Sequence, residues 1–219
     1  MAEAAKNLIL LLSALFPIVN PLGGSPIFLA LTRESTPQAR MGLAWRIGRN
    51  SFFLLVGSYL IGAHVLAFFG ISLHVVQVGG GLIVISTGWT MLKQREDDER
   101  SEVRRNASSH DPFRQAFYPL TLPLTVGPGS ISVAITLGAN AVRHGVSPWD
   151  VGVALAGSAV IAISIFLCYG FAERLAQILG ESAMTAIMRF SSFLLVCIGV
   201  QILWNGASAL LALVPLKVR

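Results

Sequence analysis

Long runs of apolar residues, separated by short polar segments, dominate the chain. A membrane-spanning helix needs about 20 mainly apolar residues. The pattern therefore predicts six transmembrane helices, at residues 7–32, 45–69, 72–92, 115–142, 149–171 and 188–213. We expect an all-α polytopic membrane protein with a first three-helix repeat (1–92), a charged connector (93–114) and a second three-helix repeat (115–219).

The first and fourth predicted helices carry the same proline pattern. In each, three prolines follow the spacing P-x3-P-x4-P, and one constant offset maps the first set onto the second. The prolines are Pro17, Pro21 and Pro26 in the first helix, and Pro119, Pro123 and Pro128 in the fourth. A proline inside a helix removes a hydrogen bond and clashes with the preceding turn, so both helices are expected to be broken. Matching interruptions in two halves of a chain indicate the binding site of a secondary transporter.

The number of helices in each repeat fixes how the repeats are related. Three helices per repeat make the second repeat enter the membrane from the opposite side, so we predict two inverted repeats. Of the 16 Lys and Arg residues, four lie in 33–49, six in 93–114, and two are Arg174 and Arg189. These three segments share one side of the membrane, and the positive-inside rule makes that side cytoplasmic. Both termini are then expected outside.

Each break offers exposed backbone dipoles. The first half-helix is expected to end at Asn20 and to restart at Pro26; the second copy is expected to loosen at Gly127 and to restart at Pro128. Carbonyl ends carry partial negative charge and N–H ends carry partial positive charge. Such groups are tolerated in a membrane only where they face protein or a polar cavity. A zwitterion fits this arrangement, with its carboxylate at the N–H ends and its ammonium group at the carbonyl ends.

Small, uncharged side chains surround both breaks. The candidate hydrogen-bonding residues are Asn20, Ser25, Thr121, Thr125 and Ser130, and the glycines that allow close backbone approach are Gly23, Gly24, Gly127 and Gly129. No Asp or Glu lies in the interior of any predicted span, so we expect no carboxylate proton relay and a small neutral or zwitterionic substrate. The alternative is that these prolines and glycines only kink and pack membrane helices.

Composition agrees with a membrane protein and argues against other classes. Hydrophobic residues make up 54% of the chain and charged residues 12%, against about 25% charged in soluble domains. The basic residues behind the net charge of +5 are scattered, so no nucleic-acid partner is expected. The four histidines fall in separate segments and no catalytic motif is present. We therefore expect no metal site, no cofactor and no enzymatic activity.

A few other polar or reactive side chains lie in or near the predicted spans. Cys168 and Cys197 both occur in apolar runs and are expected to be small packing residues rather than a disulfide. The amide side chains are expected to hydrogen-bond between helices, with cavity lining as the alternative. They belong to Gln77, Asn140, Gln201 and Asn205.

Two segments resemble the signature segments of the MarC family, also called the neutral amino acid transporter family, with SnatA-type members. They are L-F-P-I-V-N-P-L-G-G-S-P-I-F-L-A-L-T (15–32) and Y-P-L-T-L-P-L-T-V-G-P-G-S-I-S (118–132), and the resemblance covers essentially the whole chain. It implies two inverted three-helix repeats, with the first and fourth helices unwound around a small amino acid such as glycine or alanine. Carried over by motif, the site comprises Asn20, Pro21, Gly23, Gly24, Ser25, Pro26, Thr121, Pro123, Thr125, Gly127, Pro128 and Gly129. The second motif has Leu122 where the first has Asn20, so the two halves contribute unequally.

The residues and the resemblance together predict a secondary transporter of small neutral amino acids in a bacterial-type inner membrane. It would work by alternating access, driven by a proton or sodium gradient or by the gradient of the substrate itself. The alternatives are an exporter of small metabolites on the same fold and a non-transporting membrane scaffold or sensor. The coupling ion and the oligomeric state, a homo-oligomer included, stay open at this point.

Overall fold

The computed structural model describes residues 2–93, 116–143 and 147–212, and all elements in these ranges are helical. Of the predicted connector, only Lys93 lies among these residues. The helices are α1 (Ala2–Val19), α2 (Pro21–Leu31), α3 (Pro37–Phe68), α4 (Leu73–Lys93), α5 (Ala116–Thr125), α6 (Pro128–Arg143), α7 (Pro148–Gly170) and α8 (Ala172–Ala212).

Six spans can be formed by these helices. Five are long and apolar enough to cross a membrane: α1 with α2 (Glu3–Leu31), α3, α4, α7, and α8 from Ser182 onward. The pair α5 and α6, bent by 70°, adds a sixth span if it is counted as one. The structure thus agrees with the predicted all-α membrane protein.

Two helices begin before the apolar runs that they contain. The side chain of Thr36 accepts a hydrogen bond from the Ala39 amide at 3.3 Å, and Pro37 occupies the first turn of α3. A threonine cap followed by proline is a strong helix start, so α3 begins eight residues before the predicted residue 45. In α8, Gly180 (φ 74°) separates residues 172–179 from the span that begins at Ser182.

The contact between α3 and α7 forms the centre of the fold. Leu55 on α3 and Ile161 on α7 are both fully buried there. At the side of the molecule α4 packs along α8, and this approach is close. A Cβ atom on Gly81 would lie 2.8 Å from the carbonyl oxygen of Gly199, which shows why small residues are needed at this helix contact.

Most contacts between the two halves of the chain have a counterpart: when each helix of one half is replaced by the corresponding helix of the other half, the resulting pair of helices is also in contact. The exchange pairs α1 with α5, α2 with α6, α3 with α7, and α4 with α8. In this scheme α1 packs on α7 as α5 packs on α3, and α2 packs on α7 as α6 packs on α3. Likewise α2 contacts α8 as α6 contacts α4. The remaining large contacts, α3 with α7 and α4 with α8, map onto themselves.

Candidate functional site

The first break is a single residue, Asn20, in the left-handed conformation (φ 48°, ψ 60°). Its side-chain oxygen accepts a hydrogen bond from the Gly23 amide at 3.1 Å, and its backbone oxygen accepts one from the Gly24 amide at 2.9 Å. Asparagine tolerates this conformation better than most residues, and its side chain caps the helix that follows. The chain therefore restarts at Pro21, and the expected restart at Pro26 is wrong.

Pro26 consequently lies inside α2, where it has no amide to donate. The helical partner that it leaves unbonded is the carbonyl of Leu22, four residues earlier. The Ser25 hydroxyl donates to that carbonyl at 2.8 Å. The Ser25 hydroxyl thus takes the place of the backbone N–H donor that Pro26 lacks, and its proton is not available to a ligand.

The second break is wider and bends the chain more. Helix α5 has wide, π-type turns with non-helical backbone angles at Tyr118 and Leu122. The hydroxyls of Thr121 and Thr125 donate to carbonyls five residues earlier, at 2.6 Å and 2.7 Å. After Val126 and Gly127 the chain restarts at Pro128, as the sequence predicts. The side chains of α5 thereby compensate for an irregular backbone within the protein.

Tyr169, near the end of α7, joins the two broken spans. Its ring stacks on Phe28 of α2, with centroids 4.7 Å apart, and both side chains are fully buried. Its hydroxyl lies 3.1 Å from the Thr125 hydroxyl. Because Thr125 already donates its only proton to the Leu120 carbonyl, Tyr169 is the donor in this bond. The sequence did not identify Tyr169 as a site residue, because Tyr169 lies outside both proline motifs.

Gly24 lies directly against the same tyrosine. A Cβ atom on Gly24 would be 2.5 Å from the Tyr169 hydroxyl oxygen. Since Gly24 belongs to the first break and Thr125 to the second, one phenol group contacts both. The two proline motifs, far apart in sequence, therefore meet in the protein interior.

One polar group at the first break has no partner in the part of the chain that the structure describes. It is the side-chain amide nitrogen of Asn20, Nδ2, which is buried. Leaving such a donor unpaired costs about 1–3 kcal/mol. Buried polar groups are nearly always hydrogen-bonded, so this unpaired donor marks the first break as a place where a polar ligand group can bind.

A second polar pair adjoins the other break from α3. Asn50 Nδ2 lies 3.5 Å from the Thr121 hydroxyl oxygen. The neighbouring Ser51 is completely buried, and its hydroxyl oxygen has no partner among the described residues. Neither residue was predicted, because an isolated Asn-Ser pair in an apolar helix is usually a packing feature.

The predicted site residues divide into an inner and an outer group. The inner group, together with Tyr169, is called the break cluster here: Asn20, Pro21, Gly23, Gly24, Ser25, Thr121 and Thr125, of which all but Asn20 are buried. Pro123 and Pro128 are exposed, and Gly129 packs on the Val84 side chain of α4. Ser130 is buried and donates to the Gly127 carbonyl at 2.9 Å. Pro26 and Gly127 are half-buried.

The break cluster is polar but carries no charge. The hydroxyls of Ser25, Thr121 and Thr125 donate to backbone carbonyls, so their oxygens act only as acceptors. Thr121 and Thr125 already accept one hydrogen bond each, from Asn50 and Tyr169, and each keeps one further lone pair. The free Asn20 amide is a donor. Such a set can bind an ammonium group through oxygens and a carboxylate through an amide and helix N–H groups. In the described residues no group of three or more His, Cys, Asp or Glu side chains could hold a metal ion.

The fold and the break cluster define a class: a polytopic α-helical membrane protein with two interrupted spans that meet at its centre. Comparison with known sequences gives the family. Residues 5–211 match the profile described as "MarC family integral membrane protein", and the chain belongs to that family. This match confirms the resemblance seen in the two signature segments.

Individual relatives cover nearly the full length of the chain. An inner membrane protein named MarC from Salmonella typhimurium is 31% identical over 213 residues, which is 94% of this chain and 96% of the relative. The protein of that name from Citrobacter koseri is 32% identical over the same shares. The membrane protein YvbG from Bacillus subtilis is 28% identical, over 88% of this chain and 90% of its own length. No solved structure matches the chain significantly.

Proposed function

We propose that the chain is a secondary transporter of small neutral amino acids, of the glycine and alanine type, that works by alternating access. The observation that carries this proposal is the meeting of both broken spans at the Tyr169 hydroxyl, beside the buried, unpaired amide of Asn20. Interrupted helices at the centre of a membrane protein are typical of substrate sites in transporters.

The chemistry of the break cluster suits a zwitterion. The Asn20 amide and the N-terminal end of α2 would hold the carboxylate, since a helix N-terminus carries partial positive charge. The hydroxyl oxygens of Thr121 and Thr125 would accept from the ammonium group. No charged side chain belongs to the cluster to neutralise a charged substrate side chain, so small neutral amino acids fit best.

The inverted-repeat arrangement remains part of the proposal. It is supported by the reciprocity of the helix contacts, in which nearly every contact between the halves has a counterpart after exchange. Two such repeats would rock against each other around the break cluster and open it alternately to each side. A proton or sodium ion would couple this movement to a gradient.

The tight packing at Gly24 describes one state of that cycle. With the Tyr169 hydroxyl this close to Gly24, the space beside the glycine is filled by protein. Substrate can reach Asn20 from that side only when α2 and α7 separate. In this proposal the structure would be a closed form of the transporter, and the stack of Phe28 on Tyr169 would be the contact that opens or slides.

Membrane placement is proposed from charge and from the relatives. The relatives named MarC are inner membrane proteins, and we assign this chain to the same membrane. The segments richest in Lys and Arg face the cytoplasm, which places both termini outside.

Uptake of labelled glycine and alanine into proteoliposomes tests the function, with proton and sodium gradients imposed separately. Asn20→Asp is the sharpest variant because it keeps the capping oxygen and tolerates the left-handed backbone, yet it replaces the amide donor by a negative charge. Charge-assisted hydrogen bonds contribute about 1.5–3 kcal/mol, so uptake should fall at least about tenfold. Ser13→Ala, an exposed hydroxyl in α1, is the matched control and should transport normally.

Two outcomes would contradict the proposal. Absence of saturable uptake and of saturable binding in the wild-type protein would favour a scaffold or sensor. Saturable transport of other small metabolites, without competition by glycine or alanine, would favour a metabolite exporter on the same fold. Normal uptake by Asn20→Asp would be compatible with a transporter but would show that its substrate site lies outside the break cluster.

A further inference from the structure

Two amide side chains lie on the outer face of α8. Gln201 and Asn205 are both exposed, and Gln201 Nε2 donates to Asn205 Oδ1 at 2.9 Å. They occupy neighbouring turns of a span that ends at Ala212. At 1.5 Å per residue, they lie roughly 16 Å and 10 Å from that end, which is within the hydrocarbon layer. The sequence predicted hydrogen bonds between helices for these amides, whereas the structure places them on the outside.

This pair leaves hydrogen-bonding groups unused. The bond between the two amides uses one Gln201 N–H and one lone pair of Asn205 Oδ1. The second Gln201 N–H, the Gln201 carbonyl oxygen, the Asn205 NH2 group and the second lone pair of Asn205 Oδ1 remain. Lipid offers no partner for them, and polar groups in hydrocarbon are costly. Exposed hydroxyls on α4 behave differently: Thr87 and Thr90 donate to carbonyls four residues earlier, at 2.9 Å and 2.8 Å. The hydroxyls satisfy themselves within one helix, and the amides do not.

We propose that the face of α8 around Gln201 and Asn205 is the interface between two copies of this chain. The amides themselves indicate a second copy. Each amide is both a donor and an acceptor, so it complements an identical group, as a two-fold interface requires. Interhelical bonds between Asn or Gln side chains are a recognised means of helix association in membranes.

Membrane topology fixes the geometry of this dimer. All copies insert with the same orientation, so the two-fold axis runs along the membrane normal and the two α8 helices lie side by side in parallel. Each residue then meets the same residue of the second copy at the same depth. Cys197, a free and exposed thiol one turn before Gln201, shares that face. Phe193 and Trp204, both more than half exposed, flank the amides and provide apolar area for the contact.

Cys197 therefore provides a built-in probe of the interface. A disulfide needs Cα atoms within about 7 Å, a distance that parallel helices allow at one depth. In a Cys168→Ser background Cys197 is the only thiol of the chain. Oxidation of the purified protein in dilute proteoliposomes should give a cross-linked dimer. The matched control moves the thiol to another exposed position, Ile163→Cys on α7, with both native cysteines replaced by serine, and should stay monomeric.

The amides are tested by Gln201→Leu and Asn205→Leu in the same background. Each replacement should lower the dimer association constant about threefold, the average effect of an interhelical hydrogen bond in membranes. Thr87→Val with Thr90→Val should change nothing, because these hydroxyls bond within their own helix. Melting temperature in detergent checks that each variant is folded.

Three results would overturn the proposal. The first is equal cross-linking by the Cys197 and Ile163→Cys proteins, which would mean random collision. The second is rapid reaction of Cys197 with a membrane-impermeant maleimide, which would show that this face lines water. The third is cross-linking of Cys197 to a different protein in native membranes with no dimer in proteoliposomes, which would assign the face to another partner.

Discussion

Arg40 and Glu173 form an ion pair in which Arg40 Nη1 lies 2.8 Å from Glu173 Oε2, joining the start of α3 to the first turn of α8. The two partners differ in burial, since the side chain of Arg40 is 9% exposed and that of Glu173 is 56% exposed. Arg40 also donates to the hydroxyl and the carbonyl of Thr32, each at 3.2 Å. The guanidinium group thus closes the C-terminal end of α2, and the carboxylate is its outer partner.

The first prediction follows from this asymmetry. Glu173→Gln should lower the free energy of unfolding by less than about 1 kcal/mol, because exposed ion pairs contribute little to stability. Arg40→Ala should lower the free energy of unfolding by roughly 2–3 kcal/mol, because it removes charge-assisted hydrogen bonds to Thr32. Denaturation midpoints in one detergent measure both. Equal losses in the two variants would show that the ion pair itself, and not the contact with Thr32, stabilises this end of the molecule.

The second prediction couples Gly24 to Tyr169. Gly24→Ala places a methyl group 2.5 Å from the Tyr169 hydroxyl oxygen, and overpacking of this kind costs about 1–3 kcal/mol. Tyr169→Phe removes that oxygen and leaves ring atoms at 3.3 Å and beyond. The double variant should therefore be more stable than the sum of the single changes predicts, by roughly 1 kcal/mol.

Thermal unfolding of the four proteins, in the manner of a double-mutant cycle, measures this coupling. Gly57→Ala is the control, since no atom lies within 4 Å of a Cβ atom built there, and alanine favours a helix. It should be neutral or slightly stabilising. Strict additivity of Gly24→Ala and Tyr169→Phe would mean that α2 and α7 are not in contact at this point in the native protein.

The repeated prolines were sufficient to locate both breaks, but not to describe them. Pro21 and Pro26 both suit the first position of a helix, and the left-handed Asn20, with its side-chain cap on Gly23, decides for Pro21. That choice depends on one side-chain bond that a proline pattern does not contain. In the second motif the restart at Pro128 has no such competitor, because Val126 and Gly127 leave the helix just before it.

Residues outside the motifs could not be found in this way. Tyr169 lies in an uninterrupted apolar run, where an aromatic residue is ordinarily part of the core, and only the folded chain brings it between Gly24 and Thr125. For the amides of α8, the sequence identified the residues but not the side of the helix on which they lie. Their chemistry predicted hydrogen bonds to another helix, while the side of α8 that they occupy depends on how α4 and α8 pack.

The third prediction concerns orientation. In a chain without native cysteines, Ser108→Cys should react with a membrane-impermeant thiol reagent only from the cytoplasmic side. Ile71→Cys, between α3 and α4, should react only from outside; it is preferred to a cysteine at Ser147, whose hydroxyl caps α7. The opposite pattern would reverse the topology, and labelling of both from the same side would contradict the assignment of α4 as a single crossing.

The last prediction concerns selectivity. The break cluster offers hydroxyl oxygens, one free amide and helix ends, with no charged side chain. It can hold the amino and carboxylate groups of a substrate but has nothing to neutralise a further charge, and an unpaired buried charge is very costly. Glycine, alanine and serine should therefore compete with labelled glycine for uptake into proteoliposomes. Lysine, arginine and glutamate should not compete, and tryptophan should be excluded by size, because Tyr169 and Phe28 fill the space beside Gly24. Strong inhibition by lysine or glutamate, with none by alanine, would show that charged groups outside the break cluster form the site.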